Sequence, residues 1–310
     1  MEHEGFQHQA LIYEGVDDYL AGTVPFVEAA LEAEEPALVA VGPAQEEWLE
    51  CELGEDADRV RFLPMEEVGR NPASIIPIWR DFVDESAGSP MRGIGEPVWA
   101  ARSPAALEEC HRHESLLNVA FPENPDFQLL CPYDAGSLPA EVLERVALSH
   151  RHVWRGGRAQ PSEGFDPASD SFSGHLPPPA AAPETFAFGL DDLAEVRDRA
   201  AAAAERAGME PRAVGDLVTA TSELAANSVV HGGGAGTLRL WREGGTVLAE
   251  VEDRGRIEEP LVGRLRPGIG QEGGRGLWLA NQLCDLVQIR SGEAGTVVRL
   301  HLVAPECAFV

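Results

Sequence analysis

The first half of the chain alternates short apolar runs with stretches of helix length, and this order limits the fold more than any other feature of the sequence. The apolar runs occupy residues 10–13, 37–41, 60–63, 92–96 and 127–131, and amphipathic stretches separate them. Alternation of this kind is the signature of βαβ units, in which helices join parallel strands. We therefore predict a doubly wound α/β domain with a parallel sheet over residues 1–153.

In a doubly wound sheet, ligands bind beyond the carboxyl ends of the strands. The predicted strands place several residues at this edge of the sheet, around one candidate pocket. These residues are Gly42, Glu96, Trp99, Cys131, Tyr133 and Asp134. The placement follows from the topology alone and does not identify a ligand.

The composition changes after this domain. Residues 154–183 contain Gly156-Gly157 and a proline-rich end that runs from Pro177 to Pro183. Such a stretch buries too little apolar surface to fold by itself, so we predict a linker that keeps two domains apart. The second domain then covers residues 184–310.

Length and charge limit the function. A chain of 310 residues with 44% hydrophobic content is long enough for two domains, each with its own core. The 52 acidic residues outnumber the 24 basic residues, and the net charge of −28 argues against direct nucleic-acid binding because it repels phosphate backbones. No apolar stretch is long enough to span a bilayer and no signal peptide is recognisable, so we expect a cytoplasmic protein that does not enter membranes.

All 24 basic residues are arginines. A chain without lysine cannot use the lysine of a P-loop or of a eukaryotic-type kinase, and it cannot form a Schiff base. A bias of the source genome toward arginine accounts for the composition, but the chemical exclusion holds whatever the cause.

The five cysteines include no CxxC pair, which favours reduced thiols and argues against structural zinc. One run invites a metal-site interpretation, because Cys110 and His113, or His111 and Glu114, would share a helical face. A helix with exposed charge and one buried thiol explains the same residues, and we favour that interpretation.

The second half of the chain also combines helices and strands. We predict an entry strand at 185–188, helices at 191–207 and 211–230, a hairpin at 237–252 around Gly244-Gly245, a helix at 277–286, and closing strands at 287–290 and 296–302. This order predicts a two-layer α/β sandwich with helices on one face of a mixed sheet.

A set of polar residues singles out one of these helices. Glu223, Asn227 and His231 are spaced four residues apart, so a carboxylate, a carboxamide and an imidazole fall on one helical face. Three further segments follow along the chain. Asp253-Arg254-Gly255 closes a strand, the glycine-rich run 267–276 opens a helix, and Gly295-Thr296 begins the last strand.

These four segments, in this order, resemble the ATPase fold shared by gyrase-type ATPases, Hsp90 chaperones and histidine kinases, the GHKL fold. Within it, the strongest likeness is to the anti-sigma factor serine/threonine kinases of bacterial stress and sporulation pathways. The resemblance covers residues 184–303. The first domain resembles, more loosely, the MEDS sensory domain, a RecA-like fold that occurs beside regulatory ATPase modules and senses small molecules.

The resemblance implies that the second domain binds ATP and Mg²⁺. Asn227 matches the family's Mg²⁺ ligand, and Glu223 matches its general base for phosphoryl transfer. Asp253 matches the residue that accepts a hydrogen bond from the adenine amine, and Thr296 adds a hydroxyl near the adenine. The other nucleotide-binding positions that the resemblance implies are His231, Gly255, Gly273, Gly274, Arg275, Gly276 and Leu277. Of these, Gly273 to Gly276 belong to a glycine-rich lid, 267–276, that meets the phosphates.

The chain departs from the family pattern at the lid. Sporulation-type relatives place an arginine just before the lid glycines, whereas this chain has Glu272 there and Arg275 inside the motif. Phosphoryl transfer could therefore be slow, absent, or supported by Arg275.

The expected function is that of a bacterial anti-sigma regulatory factor that works by partner switching. It binds Mg-ATP, sequesters a sigma factor and phosphorylates a serine or threonine of a STAS-type antagonist, under the control of the N-terminal domain. Because relatives of the second domain commonly dimerise, a homodimer is one expected state. Two alternatives stay open: a non-catalytic, ATP-gated binding switch, and a small-molecule sensor with an inactive ATPase module.

Overall fold

The computed structural model describes residues 5–86, 88–122, 124, 126–166, 172, 174–268 and 274–304. The chain divides into two compact units, Met1–Ser171 and Phe172–Val310, and each has its own sheet. Within the described residues, no helix combines the length and the apolar composition that a membrane crossing requires.

The first unit is built around a mostly parallel sheet. Its strands are β1 (Gln7–Tyr13), β2 (Ala37–Val41), β3 (Arg61–Pro64), β4 (Met91–Gly95), β5 (Phe127–Asp134), β6 (His152–Arg155) and β7 (Arg158–Pro161). Their order across the sheet is β3-β2-β4-β5-β1-β6-β7, and only the β6–β7 pair among the described strands of this sheet is antiparallel. The predicted doubly wound parallel sheet is therefore confirmed.

Helices connect these strands, as the alternation of the sequence predicts. They are α1 (Gly15–Glu32), α2 (Pro43–Leu53), α3 (Met65–Val68), α4 (Ile75–Glu85), α5 (Pro104–Ala120), α6 (Ala140–Glu144) and α7 (Val146–Ser149). All five residues of β2 are buried, because a parallel sheet of this type is covered on both faces. One core cluster joins Leu11 and Tyr13 of β1 to Tyr19 and Val27 of α1.

Part of the stretch predicted as a linker belongs to this sheet. β6 and β7 form a hairpin whose turn residues, Gly156 and Gly157, have φ angles of 54° and 72°. Two consecutive positive φ values are what a two-residue hairpin turn of the favoured type needs. All four residues of β7 are exposed, so the hairpin is held by backbone pairing rather than by buried side chains. The linker was predicted from the low apolar content of this stretch. An exposed hairpin at the edge of a sheet also has a low apolar content, so composition does not distinguish the two.

The second unit has a five-stranded sheet with helices packed against one face. The strands are β8 (Glu184–Gly189), β9 (Ala235–Glu243), β10 (Thr246–Asp253), β11 (Leu286–Gly292) and β12 (Gly295–Val303), and the helices are α8 (Leu193–Arg206), α9 (Pro211–His231) and α10 (Arg275–Leu283). The strand order is β11-β12-β10-β9-β8. Leu217, Leu224 and Ala225 of α9 pack with Leu240 and Val251 of the sheet in one core cluster.

Two expectations for this unit are wrong in detail. Each pair of neighbouring strands in the described part of this sheet is antiparallel, so the sheet is not mixed. The chain runs from β8 through the helices α8 and α9 to β9, and β9 returns beside β8 in the opposite direction. β12 lies between β10 and β11. The last helix ends at Leu283 instead of 286, because β11 takes over from Leu286.

The packing of α9 gives a direct test of this architecture. Leu217 is 0% exposed, and Leu217→Ala is expected to lower the free energy of unfolding of the second unit by about 2–5 kcal/mol. Val230 lies on the same helix but is 71% exposed, so Val230→Ala should change that free energy by less than about 0.5 kcal/mol. Calorimetry of the full chain measures both variants. Equal shifts of the same transition in the two variants would contradict the observed packing of α9.

Candidate functional site

The polar face of α9 forms one side of the candidate site. Glu223, Asn227 and His231 follow each other at one-turn intervals along this helix, as the sequence predicts, and His231 is its last residue. Glu223 and Asn227 are half-buried, whereas His231 is exposed. No side-chain hydrogen bond joins Glu223 or Asn227 to another residue that the structure describes.

A cavity of about 310 Å³ opens beside this face. Its volume lies at the lower end of the range of about 300–1,000 Å³ that is typical of small-molecule sites. The apolar wall consists of Leu224, Val251, Ile257, Val262, Leu277 and Val298. The predicted site residues that line the cavity are Asn227, His231, Asp253, Gly255, Gly274, Leu277 and Thr296. An apolar slot with a few polar groups at its edge fits a flat organic ring that carries hydrogen-bonding groups.

Asp253, at the end of β10, presents a carboxylate held from two sides. The backbone N–H of Gly255 donates to its Oδ1 at 2.7 Å, and the hydroxyl of Ser228 donates to its Oδ2 at 2.6 Å. An ionised carboxylate offers about four acceptor sites, so these two bonds fix its orientation and leave capacity for a ligand donor. Ser228 also lines the cavity, although the sequence analysis did not single it out.

Glycines let the end of α9 pack closely against the end of β10. A Cβ atom at Gly232 would collide with the Asp253 side chain, and one at Gly255 would lie 2.9 Å from the His231 carbonyl oxygen. From the sequence, Gly255 is expected to let a ligand approach the backbone. In the structure, the close neighbour that requires a glycine at this position is the C-terminal end of α9.

A chain of hydrogen bonds anchors the loop after Asp253. The N–H of Ile257 donates to Ser291 Oγ at 2.8 Å, Ser291 Oγ and Thr296 Oγ1 are 2.8 Å apart, and the Thr296 hydroxyl donates to the Gly255 carbonyl at 2.9 Å. The Thr296 proton is therefore engaged with the protein, although its side chain lines the cavity. Ser291 was not predicted from the sequence. The signal that could have identified it is the β11–β12 register, which pairs Ser291 with Thr296.

The N-terminus of α10 faces the polar side of α9. A Cβ atom at Gly276 would lie 2.9 Å from both Glu223 Oε2 and Asn227 Nδ2, so the two side chains point at the first turn of α10. Gly274 precedes this helix with a φ of 79°. The first backbone N–H groups of a helix have no partner inside it and attract anions. Gly273 lies outside the described residues, as does the rest of the run 269–273.

A second cavity, of about 450 Å³, surrounds the Glu223 end of this face. Glu223, Arg266, Pro267, Arg275, Trp278 and Leu279 line it. Two guanidinium groups therefore border the same space as the Glu223 carboxylate. Arg266 was not predicted, because a single arginine in a loop carries no sequence signal of its own.

The pocket predicted in the first unit is not observed as one group of residues. Tyr13 donates a hydrogen bond to Glu96 Oε1 at 2.8 Å, and this pair belongs to the face that α1 and α2 cover. Burial raises the pKa of Glu96 to about 8. Cys131 and Tyr133 instead contact the His8 and His150 side chains at 3.3 Å (Sγ to Nε2) and 5.7 Å (ring centroids) respectively. Alternate residues of a strand point to opposite faces of the sheet. Residues at the same edge of the sheet can therefore lie on different faces, and Glu96 is separated in this way from Cys131 and Tyr133.

Each part of the chain is similar to a known protein family. Residues 7–151 match the MEDS family, described as the methanogen/methylotroph, DcmR sensory domain, and residues 186–302 match the histidine kinase-like ATPase domain. A similar solved structure is the crystal structure of the RsbU and RsbW domains of Rv1364c from Mycobacterium tuberculosis, with 23% sequence identity and a TM-score of 0.31. The match covers 40% of this chain and 33% of that chain, so it spans about a third of the length of that protein. No curated protein matches the chain.

The hydrogen-bond chain through Ser291 predicts a local effect of its removal. Ser291→Ala leaves the Ile257 N–H without its partner, so the backbone amides of residues 254–262 are expected to exchange with solvent faster, by a factor that corresponds to about 1–3 kcal/mol. Ser222→Ala is the matched control, because in the described part of the chain the Ser222 hydroxyl donates to the Val218 carbonyl of its own helix. Hydrogen exchange followed by mass spectrometry measures the effect. Unchanged protection of residues 254–262 in Ser291→Ala would exclude this anchoring role.

Proposed function

Since the chain carries a MEDS sensory domain followed by a histidine kinase-like ATPase domain, we propose that it is an ATP-dependent anti-sigma regulatory factor. It binds Mg-ATP, holds a sigma factor, and transfers the γ-phosphate to a serine or threonine of an antagonist protein. The first unit adjusts this exchange in response to a small-molecule signal. The observation that carries the proposal is the position of Asp253, Asn227 and Gly274 around one cavity.

The cavity suits the adenine ring of ATP. The ring occupies the apolar slot, and its exocyclic amine donates to the Asp253 carboxylate, whose orientation Ser228 and Gly255 fix. Guanine presents a carbonyl oxygen where adenine presents this amine, and that oxygen would face the carboxylate. Recognition by Asp253 therefore favours ATP over GTP.

The phosphates extend toward α10 and the polar face of α9. The free N–H groups at the start of α10 attract the phosphate oxygens, and the carboxamide oxygen of Asn227 is the type of hard ligand that Mg²⁺ prefers. Asn227 has no competing side-chain hydrogen bond among the described residues, which leaves it available to a metal. Bound Mg²⁺ supplies charge neutralisation, and this matters in a chain with a net charge of −28.

Glu223 is the base for the transfer step. The hydroxyl oxygen of the antagonist's serine or threonine attacks the γ-phosphorus, the bond from that phosphorus to the bridging oxygen breaks, and ADP leaves. The hydroxyl proton passes to the Glu223 carboxylate. Arg266 and Arg275, which line the cavity around Glu223, stabilise the charge on the transferred group in place of the arginine that relatives carry at the position of Glu272.

The presence of Glu272 where relatives carry an arginine also favours a second function. If the two arginines do not support transfer, nucleotide binding orders the lid and shapes a surface for partner proteins without catalysis. This switch function requires ATP binding but makes no use of Glu223. The two variants below separate it from the kinase function.

Nucleotide recognition rests on Asp253. Asp253→Asn removes the carboxylate and is expected to weaken ATP binding by about 10- to 100-fold and to abolish the preference for ATP over GTP. Glu252→Gln is the matched control, because the neighbouring Glu252 pairs with Arg239 and does not line the cavity. Isothermal titration of the full chain with Mg-ATP and Mg-GTP measures both effects. Equal ATP affinity in the wild-type chain and Asp253→Asn is incompatible with the proposed adenine site.

Glu223→Gln tests the kinase step separately. It keeps the size of the side chain but cannot accept the proton, so transfer of label from Mg-ATP to a protein in a lysate of the source cells is expected to fall by about 10²- to 10⁴-fold. Binding of ATP should be retained, since Glu223 does not line the adenine cavity. Asp216→Asn, on the same helix and outside both cavities, is the control. Equal labelling by Glu223→Gln and the wild-type chain, with both shown to bind ATP, would overturn the kinase function and leave the binding switch.

A further inference from the structure

Four potential metal ligands converge in the interior of the first unit. They are His8 of β1, Glu114 of α5, Cys131 of β5, and His150, which directly follows α7. Their exposed fractions are 1%, 0%, 1% and 0%, and one ligand atom from each lies within 4.8 Å of all the others. We call these four residues the HECH cluster. The proposed function of the ATPase domain makes no use of it.

The residues that contact Glu114 are not the ones that helical spacing suggests. On one face of α5, that spacing offers His111 to Glu114 and His113 to Cys110. In the structure, Cys110 donates a hydrogen bond to the Pro97 carbonyl at 3.2 Å and is not part of the cluster. The partners of Glu114 come from other elements, separated from it by many residues along the chain.

The distances within the HECH cluster are close to those of a tetrahedral site. His8 Nε2 lies 3.0 Å from Glu114 Oε2 and 3.3 Å from Cys131 Sγ, and His150 Nε2 lies 3.2 Å from Glu114 Oε2. Ligand atoms around tetrahedral Zn²⁺, with bonds of about 2.0–2.3 Å, are separated by about 3.3–3.7 Å. Movements on the order of 1 Å or less therefore place all four atoms around one ion.

Hydrogen bonds on the outer side of the cluster fix both imidazoles. Asn118 Nδ2 donates to the Ser149 carbonyl at 2.8 Å, which orients Asn118 Oδ1 toward His8 Nδ1 at 3.3 Å. His150 Nδ1 lies 2.8 Å from the Val146 carbonyl oxygen, which can only accept. Both Nδ1 atoms therefore carry a proton. In the neutral rings, both Nε2 atoms then present lone pairs to the centre of the cluster.

This arrangement suits a cation. Both Nε2 atoms lie close to Glu114 Oε2, at 3.0 Å for His8 and 3.2 Å for His150, and acceptors at such distances repel one another. His150 Nε2 is buried and makes no hydrogen bond in the described part of the chain. The other carboxylate oxygen, Glu114 Oε1, is buried and has no hydrogen-bond partner in the described part of the chain. A proton on one imidazole relieves a single contact. A metal ion at the centre engages both nitrogens, the carboxylate and the thiol at once.

The donor set identifies the metal. We propose that His8, Glu114, Cys131 and His150 bind one Zn²⁺ ion in a closed, four-coordinate site. Imidazole and thiolate donors suit Zn²⁺, whereas Mg²⁺ and Ca²⁺ require oxygen ligands. When Zn²⁺ binds, the Cys131 thiol loses its proton to solvent, and the charge of the ion is balanced by one thiolate and one carboxylate. The neutral total charge suits a site that is fully buried.

The position of the site indicates a structural role. All four coordination positions belong to the protein, as in structural rather than catalytic zinc sites. The outward Nδ1 hydrogen bonds are of the kind that orient ligating histidines. Aromatic rings also enclose the cluster, with Phe6 stacked on His8 at 5.4 Å and Tyr133 in edge contact with His150 at 5.7 Å between ring centroids. The ion would join β1, α5, β5 and the segment before β6.

Metal analysis of the full chain tests the proposal. The chain is purified through a tag without histidines and without chelators, and its metals are measured by inductively coupled plasma mass spectrometry. We expect about one Zn²⁺ per wild-type chain, and a loss of about tenfold or more in Cys131→Ser and in His150→Ala. Cys110→Ser, which alters an equally buried thiol outside the cluster, should retain about one Zn²⁺. A wild-type chain that carries no stoichiometric transition metal, even after incubation with Zn²⁺, would overturn the proposal and leave an ion pair with a protonated imidazole.

Cobalt substitution distinguishes lost ligation from lost folding. The wild-type chain reloaded with Co²⁺ is expected to show the intense visible bands of a four-coordinate site and a near-ultraviolet charge-transfer band from the thiolate. Cys110→Ser should show the same spectrum. Folded Cys131→Ser, checked by circular dichroism, should lose the charge-transfer band. Persistence of that band in Cys131→Ser would contradict the assignment of the ligand.

Discussion

The close packing of α9 against the end of β10 and the start of α10 determines the site of the second unit. Glycine at 232, 255 and 276 is the condition for this packing, because a Cβ atom at each position would strike the Asp253 side chain, the His231 carbonyl, or Glu223 and Asn227. The helix can then carry its polar face to the N-terminus of α10. The same contacts leave a cavity between an apolar wall and a fixed carboxylate. The proposed nucleotide site therefore depends on these close contacts as well as on its polar residues.

The charge of the chain sets a second condition. With a net charge of −28 and no lysine, a triphosphate at the proposed site would have to be neutralised locally, by arginines, a helix N-terminus and Mg²⁺. Arginine also serves inside the fold, where Glu250 is 4% exposed and accepts hydrogen bonds from Arg239 at 2.8 Å and Arg299 at 2.6 Å. The planar, branched guanidinium suits such buried pairs better than an ammonium group. Arginine thus supplies the buried partners of Glu250, and the absence of lysine excludes several catalytic mechanisms.

Local patterns in the sequence were sufficient for most elements and for part of the site. The predicted strand 37–41 coincides with β2, and the predicted helix 211–230 differs from α9 by one residue. Both carry strong periodic signals that depend only on near neighbours. The β6–β7 hairpin escaped prediction because its stability comes from backbone pairing at a sheet edge, and Ser228, Ser291 and Arg266 escaped because their partners lie on other elements.

The proposed nucleotide site and the proposed zinc site differ in how far apart their residues lie along the sequence. Three of the groups at the cavity, Asn227, His231 and Gly232, come from one continuous motif, so a sequence reveals them without the fold. The HECH cluster draws one residue from each of four distant segments, and only the parallel sheet brings them together. A closed zinc site offers no coordination position to a signal molecule. Any small molecule that the first unit senses must then bind elsewhere in that unit. Glu96 lies on the sheet face that α1 and α2 cover and is not a member of the HECH cluster.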